Sequence, residues 1–193
     1  MSLRIYGNRL LKTLPGQDTR PTASMVRQAL FNIWQGHING CRWLDLCAGT
    51  GAMGAEALGR GATHVVGIEQ AGRACGIIQE NWATVARPGQ TFKVIRGDVV
   101  QRLTAVAGQT FDRIYFDPPY ASDLYEPVLE AIAHSHLLAP TGEIAVEHHT
   151  RRWPAEALTQ LAIRVAPLVI CRQKVYNNTA LTFFAWERGQ ISF

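Results

Sequence analysis

The segment CRWLDLCAGTGAMG, residues 41–54, decides the fold. Its apolar start predicts a β-strand over 41–46, the glycines that follow predict a tight loop, and 52–60 predicts a helix. A glycine loop between a strand and a helix lets backbone N–H groups approach a ligand closely. Because the three glycines also spell GxGxxG, the segment predicts a site for an adenosine-containing cofactor, nicotinamide dinucleotides included. A tight glycine turn without a ligand is the alternative interpretation.

β-rich runs alternate with helical stretches along the rest of the chain, which is the pattern of βαβ units in a parallel sheet. Strands are predicted at 41–46, 64–69, 92–96, 112–117, 143–148, 164–172 and 179–186. Helices are predicted at about 52–60, 71–86, 98–106 and 123–137. The turn at Asn177-Asn178 predicts that the last two strands form a hairpin. We therefore expect an α/β fold with a seven-stranded, mostly parallel sheet, an antiparallel C-terminal hairpin and helices on both faces.

A basic segment with one helix precedes the predicted sheet. Apolar residues spaced three and four apart predict this helix over 23–36. Residues 1–42 hold six basic side chains against one acidic, whereas 43–193 hold 13 basic and 14 acidic. We therefore expect one domain over 1–193, with a basic N-terminal arm and helix at 1–40 and a core at 41–193. The basic arm favours binding of a polyanion such as a nucleic acid.

Composition argues against several other classes of protein. With 47% apolar and 18% charged residues, the chain has the balance of a globular domain, and it lacks the roughly 18-residue apolar run that crosses a bilayer. Its first residues lack the apolar stretch of a secretory signal, so we expect a cytoplasmic protein with no membrane partner. The four cysteines include no CxxC pair and the histidines have no further ligand cluster, so no metal site is predicted.

Two acidic residues stand at the ends of predicted strands. Glu69 ends the second strand, 20 residues after Gly49, where a carboxylate can accept hydrogen bonds from both ribose hydroxyls of a nucleoside. Asp98 follows the third strand and has two interpretations. It could contact an adenine amino group across the same strand ends, or it could cap the next helix.

The segment Asp117-Pro118-Pro119-Tyr120 follows the fourth predicted strand directly. Two prolines fix the backbone and lack amide hydrogens, so their carbonyl groups and the Asp117 carboxylate form a rigid set of acceptors. Such acceptors can orient the hydrogens of an NH2 group on a base, and Tyr120 would stack on that base. A Pro-Pro turn beside a core tyrosine is the alternative without function.

Together these motifs resemble the class I S-adenosylmethionine-dependent amino-methyltransferases, and more narrowly the RsmD family of small-subunit (16S) ribosomal RNA guanine-N2 methyltransferases. The narrower resemblance rests on Thr19-Arg-Pro-Thr22, on the run 26–32, and on Lys174-Val-Tyr176 with Thr179-Ala-Leu181. Asn177 stands where the family has glycine. The resemblance implies a Rossmann-like fold, S-adenosylmethionine as cofactor, and transfer of its methyl group to a 16S rRNA guanine of the position-966 type. The expected substrate is this RNA within a 30S particle or an assembly intermediate, and the expected enzyme is a monomer.

The resemblance and the motifs assign the candidate site residues. The methyl donor is expected to contact Asp45, Cys47, Ala48, Gly49, Thr50, Gly51, Glu69, Gln70, Asp98, Val99 and Asp117. The target amine is expected at Asp117, Pro118, Pro119 and Tyr120. The RNA is expected to contact Arg4, Arg9, Arg20, Thr22 and Arg27.

Three other functions fit parts of the same pattern. A methyltransferase could act on another planar amine, such as an adenine in DNA or RNA or a protein glutamine, although no target-recognition domain is visible. A non-catalytic RNA-binding assembly factor could keep the fold, although the intact glycine loop, Glu69 and Asp117 argue against it. A nicotinamide oxidoreductase would leave residues 117–120 unexplained.

Overall fold

The computed structural model of the chain describes residues 2–14 and 21–187. The strands are β1 (Ser2–Ile5), β2 (Arg9–Lys12), β3 (Arg42–Leu46), β4 (His64–Glu69), β5 (Thr91–Arg96), β6 (Phe111–Phe116), β7 (Leu138–His149), β8 (Leu168–Tyr176) and β9 (Thr179–Trp186). The helices are α1 (Pro21–Ile33), α2 (Ala52–Gly59), α3 (Gly72–Val85), α4 (Val99–Arg102), α5 (Tyr125–His134) and α6 (Ala155–Arg164).

Among the described residues, seven strands form one sheet in the order β5-β4-β3-β6-β7-β9-β8. The first five of these pair in parallel, and β9 pairs antiparallel with both β7 and β8. Consecutive crossovers lead from β3 outward to β4 and β5, and the chain then returns to place β6 on the other side of β3. The order therefore reverses between β3 and β6, and ligands of open α/β sheets bind at such a point. The predicted fold is confirmed, including the C-terminal hairpin.

Asn177 shows how this chain closes the hairpin without the glycine that is usual in the family it resembles. Its φ is 54°, in the left-handed region. Glycine adopts that conformation without strain, and Asn is one of the few other residues that tolerate it. The substitution is therefore compatible with the turn between β8 and β9.

The two faces of the sheet are covered by separate apolar clusters. Residues of α4, α5 and α6 pack on one face, around Ile114 and Phe116 of β6. Residues of α1, α2 and α3 pack on the other face, where Phe31 stacks on Trp43 with ring centroids 5.4 Å apart. Because β3 and β6 are covered on both sides, their carboxyl ends are held rigidly, and this is where the predicted site residues lie.

A β-hairpin near the N-terminus was not among the sequence predictions. β1 and β2 pair antiparallel, with Arg4 opposite Leu10. Ile5 and Leu11 are buried against α2 and α3. The signal was weak because each strand has only four residues, and a pair this short is stabilised by packing on the rest of the protein.

The predicted strand 164–172 was wrong in its first part. Residues 155–164 form α6, and β8 begins only at Leu168. Leu158 and Leu161 are buried one helical turn apart, a spacing that indicates a helix. The predicted helix 98–106 is one α-helical turn followed by a 3-10 turn over 103–106.

Residues 2–14 and 21–187 contain neither a membrane-spanning helix nor a cluster of metal ligands. No helix there is long and apolar enough to span a bilayer. No group of three or more His, Cys, Asp or Glu side chains is placed there to hold a metal ion.

Candidate active site

A cleft of about 770 Å³ opens at the carboxyl ends of the central strands. It lies where the strand order reverses, between β3 and β6. Most residues predicted to contact the cofactor or the amine line it together. These are Asp45, Cys47, Ala48, Gly49, Thr50, Glu69, Gln70, Asp98, Val99, Asp117, Pro118, Pro119 and Tyr120. Gly51 is not among the lining residues, and its contact with the cofactor stays a prediction.

The indole of Trp82 packs directly against Gly51. This ring of α3 is fully buried, and its Nε1 donates a hydrogen bond of 2.7 Å to the Gly51 carbonyl oxygen. A Cβ atom on Gly51 would lie 2.7 Å from the ring, one on Gly54 2.2 Å and one on Gly67 2.6 Å. Two glycines of the loop therefore make room for an aromatic side chain, a packing reason that the motif alone does not reveal.

Gly49 differs from the other loop glycines. Its φ is 57°, and a Cβ atom there would meet nothing within 4 Å. It also lines the cleft, and its N–H donates 2.8 Å to Glu69 Oε2. Gly49 is thus a position where a ligand can approach the loop backbone closely.

Glu69 holds the glycine loop in place. Its other carboxylate oxygen accepts 2.8 Å from the Ala71 N–H. Two backbone donors leave acceptor positions on both oxygens for a ligand hydroxyl, since an ionised carboxylate has about four. Asp98 accepts from the Gln101 N–H at 3.1 Å and caps α4 while also lining the cleft, so its two interpretations are compatible.

Asp45 lies beneath the loop, with only 1% of its surface exposed. Its Oδ2 accepts a 2.9 Å hydrogen bond from the Gly54 N–H. Burial raises the pKa of Asp45 to about 8, against the opposing effect of that hydrogen bond. A cation entering the cleft would favour the ionised form.

Asp117 follows β6 and points into the same cleft. Its N–H donates 3.3 Å to the Leu46 carbonyl oxygen, which ties the segment to β3. Burial raises the pKa of Asp117 well above its usual value, and the nearby charges of Glu147 and Asp45 raise it further. A carboxyl group with a raised pKa is a better proton acceptor once ionised.

Glu147 is the site residue that sequence analysis missed. It lies in β7, is 7% exposed and lines the cleft. The hydroxyl groups of Tyr115 and Tyr120 both donate to its carboxylate, the second to Oε1 at 2.9 Å. The available signal was an acidic residue in the otherwise apolar strand core Ile144-Ala-Val146, because a buried acid is rare without a partner.

Tyr120 is held at the rim of the cleft by that hydrogen bond. Its ring also contacts the His149 ring edge-on, with centroids 6.0 Å apart. Burial raises the pKa of the Tyr120 hydroxyl, so it stays protonated and remains a donor to Glu147. The predicted stacking of this ring on a base stays a prediction.

The predicted RNA contacts fall into different environments. Arg4 is exposed on β1, and Arg9 is half-buried and donates 2.5 Å to the Val85 carbonyl oxygen. Arg20 and the side chain of Thr22 lie outside the described residues. Leu3, Thr13 and Ser24 line the cleft, so the hairpin and α1 form one of its walls.

Arg27 is not the exposed phosphate contact that its basic character predicted. It is 7% exposed, its Nε lies 3.6 Å from Glu56 Oε2, and its Nη2 donates 3.1 Å to the Arg4 carbonyl oxygen. Burial lowers its pKa. The side chain therefore joins α1, α2 and β1, although part of it still lines the cleft.

Residues 3–185 match the model of the family described as conserved hypothetical protein 95, the RsmD family. The chain belongs to this family. YlbH of Bacillus subtilis, provisionally named an rRNA methyltransferase, is 31% identical over 94% of this chain and 95% of YlbH. The ribosomal RNA small subunit methyltransferase D of Escherichia coli K12 is 32% identical over 75% of this chain and 74% of its own. The solved structure of Escherichia coli YhhF, provisionally described as a methyltransferase, has a TM-score of 0.79 and 28% identity, covering 97% of this chain and 99% of YhhF.

Membership in the RsmD family makes the chain a class I methyltransferase, and the predicted cofactor S-adenosylmethionine is confirmed. The cleft fits this group. The backbone is open at Gly49, and Glu69 offers free acceptor positions for hydroxyl groups. The cleft is also rich in acidic groups. Five carboxyl groups line it, those of Asp45, Glu69, Asp98, Asp117 and Glu147, whereas Arg27 is the one Arg or Lys among its described lining residues. This excess of acidic groups favours binding of the sulfonium cation.

Proposed function

We propose that the chain methylates the exocyclic N2 amine of a guanine in small-subunit ribosomal RNA, at a position of the 966 type. The observation that carries the proposal is that Asp117, Pro118 and Tyr120 line the same cleft as Gly49 and Glu69. An acceptor set for an amine thus faces the residues assigned to the methyl donor. The names of the curated relatives support ribosomal RNA as the substrate, since they are rRNA methyltransferases.

The residues of the chain act mainly by alignment, which is the largest contribution expected when two bound reactants combine directly. When bound, S-adenosylmethionine supplies an electrophilic methyl group. Asp117 and the carbonyl oxygen of Pro118 orient the hydrogens of the amine so that its nitrogen lone pair points at that methyl group. The amine loses one proton on methylation, and Asp117 is assigned as its acceptor because it is one of the amine's proposed hydrogen-bond partners and its pKa is raised.

The RNA would approach over the N-terminal hairpin. A base inside a helix is inaccessible to the cleft, so the target guanine has to be flipped out or presented by a loop. Exposed Arg4 on β1 and Arg20 are proposed to contact flanking phosphates, and Arg27 to hold the hairpin in position for them. We propose a 30S particle or assembly intermediate as substrate, a monomeric enzyme and a cytoplasmic location.

The test is transfer of labelled methyl from S-adenosylmethionine to small-subunit rRNA, free and in particles that lack the modification, followed by identification of the product nucleoside. Wild type should form N2-methylguanosine. Asp117→Ala should lose about 100-fold or more in rate, since a charge-assisted hydrogen bond contributes roughly 1.5–3 kcal/mol and the proton acceptor is removed as well.

Asp123→Ala is the matched control. Asp123 belongs to the same loop, is 95% exposed and pairs with Arg152, so its loss should leave the rate within about twofold. N6-methyladenosine as the product would assign the cleft to another planar amine. Binding of the methyl donor without transfer to any ribosomal substrate would favour an assembly factor without turnover.

A further inference from the structure

The carboxylate of Glu147 adds negative charge to the cleft, but no hydrogen bond to the substrate has been assigned to it so far. It is 7% exposed, and within the described part of the chain no Lys, Arg or His nitrogen lies within 4.0 Å of it. A buried acid without a cationic partner is costly. Hydrogen-bond donors around this carboxylate, from the protein or from a ligand, therefore stabilise it.

Three tyrosines from different elements hold this group in a defined position. Tyr115 of β6 and Tyr120 donate to the two carboxylate oxygens. Tyr125 of α5 donates 3.4 Å to the Glu147 carbonyl oxygen. Two tyrosine donors occupy only about half of the acceptor positions of a carboxylate. Glu147 is therefore both oriented and able to accept further hydrogen bonds from the cleft.

The edge of guanine carries the donors that such a group accepts. Guanine presents N1–H directly beside its N2 amine, so two donors stand side by side. Adenine and cytosine present an amine beside a ring nitrogen that carries a lone pair. A carboxylate next to the amine site therefore attracts guanine and repels the other two bases, and this combination gives strong discrimination.

We propose that Glu147 is a specificity-determining residue that accepts a hydrogen bond from N1–H of the target guanine while Asp117 accepts from its N2 amine. The inference rests on the proposed function and adds to it the way in which the base is chosen. Glu147 lies close enough to Asp117 for its charge to raise the pKa of Asp117, and the pKa of Glu147 is raised as well. Two adjacent donors on one edge of a ligand would favour the ionised form of both carboxyl groups.

The test uses an RNA substrate in which 2-aminopurine replaces the target guanine. 2-Aminopurine keeps the amine at position 2 but has a lone pair at N1 in place of N1–H. Wild type should methylate guanine with a kcat/KM about 100-fold or more above that for 2-aminopurine.

Glu147→Gln should reduce this preference by at least about tenfold, because the amide keeps an acceptor for the tyrosines and its NH2 group can donate to the N1 lone pair. The intrinsic reactivity of the two amines is the same for both enzymes, so it cancels when their preferences are compared. Glu143→Gln is the control and should keep the wild-type preference, because Glu143 lies four residues earlier in β7, accepts from Trp34 Nε1 and does not line the cleft.

The outcomes separate the two proposals. If Glu147→Gln loses activity equally on both substrates, the residue is purely structural and the inference is overturned. The proposed function would still stand in that case, provided that wild type methylates guanine. Failure of wild type to methylate the guanine substrate would instead overturn the proposed function. The near-UV circular dichroism spectrum of Glu147→Gln should match that of wild type and so exclude misfolding.

Discussion

Gly54 and Gly59 allow a sharp test of how Trp82 shapes the cofactor loop. Both glycines lie in α2, where alanine is normally about 1 kcal/mol more favourable than glycine. A Cβ atom on Gly59 would make ordinary contacts, at 3.7 Å from Tyr6, whereas one on Gly54 would lie 2.2 Å from the Trp82 ring. The same substitution should therefore have opposite effects at the two positions.

The magnitudes follow from the packing. Trp82 is fully buried and already close to Gly51 and Gly67, so its ring cannot move away from Gly54 without displacing these neighbours. Overpacking of this kind costs up to about 3 kcal/mol, and subtracting the gain in helix propensity leaves Gly54→Ala destabilised by about 2 kcal/mol. Gly59→Ala should be stabilised by about 0.5–1 kcal/mol.

Thermal and urea denaturation measure both effects. For a chain of this size the Tm should fall by about 4–8 °C in Gly54→Ala and rise by about 1–4 °C in Gly59→Ala. In a Trp82→Phe background the penalty of Gly54→Ala should shrink, because the part of the indole nearest to Gly54 is absent. Equal Tm values for the two alanine variants would refute the steric role of Trp82. The same conclusion would follow if Gly54→Ala destabilised the Trp82→Phe protein, with its smaller phenyl ring, as much as it destabilises wild type.

Three other predictions concern groups that hold the site. Burial raises the pKa of Asp45 to about 8, so above pH ~4 the folded state keeps a proton that the unfolded chain has lost. In urea unfolding, the stability of wild type should therefore fall toward pH 8 by about 1.4 kcal/mol per pH unit more than that of Asp45→Asn. Equal slopes for the two proteins would contradict this. The Asn81 side chain forms hydrogen bonds with the backbone of Lys12 and with the Thr50 carbonyl oxygen. Asn81→Ala should therefore lower the free energy of unfolding by about 2 kcal/mol and speed hydrogen exchange in residues 2–12. Unchanged exchange would show that Asn81 does not hold the hairpin. Arg27→Ala leaves buried Glu56 with Arg60 as its one cationic partner among the described residues, so it should lower stability by about 2 kcal/mol. Exposed Arg4→Ala should change stability by less than about 0.5 kcal/mol. Similar Tm values for the two variants would argue against a buried ion pair.

Sequence alone was sufficient for the features that depend on neighbouring residues. The strand, glycine loop and helix over 41–59 and the segment 117–120 are local patterns, and each was placed correctly. The alternation of strands and helices predicts the parallel sheet because crossover connections follow general rules of chain topology. Parallel strands then bring their carboxyl ends to one edge, so Glu69 and Asp117 could be assigned to one site before any contact was known.

Tertiary structure decided the features that depend on residues far apart in the chain. Trp82 lies 31 residues after Gly51, and only their contact shows that the glycine serves packing. Glu147 lies 27 residues after Tyr120, and the local signal of an acid beside an apolar run does not show that it faces the cleft. Arg27 has the same charge as Arg4, yet one is buried and the other exposed. A side chain's chemistry is encoded in its residue type, but its burial and partners are set by the surfaces that folding brings around it.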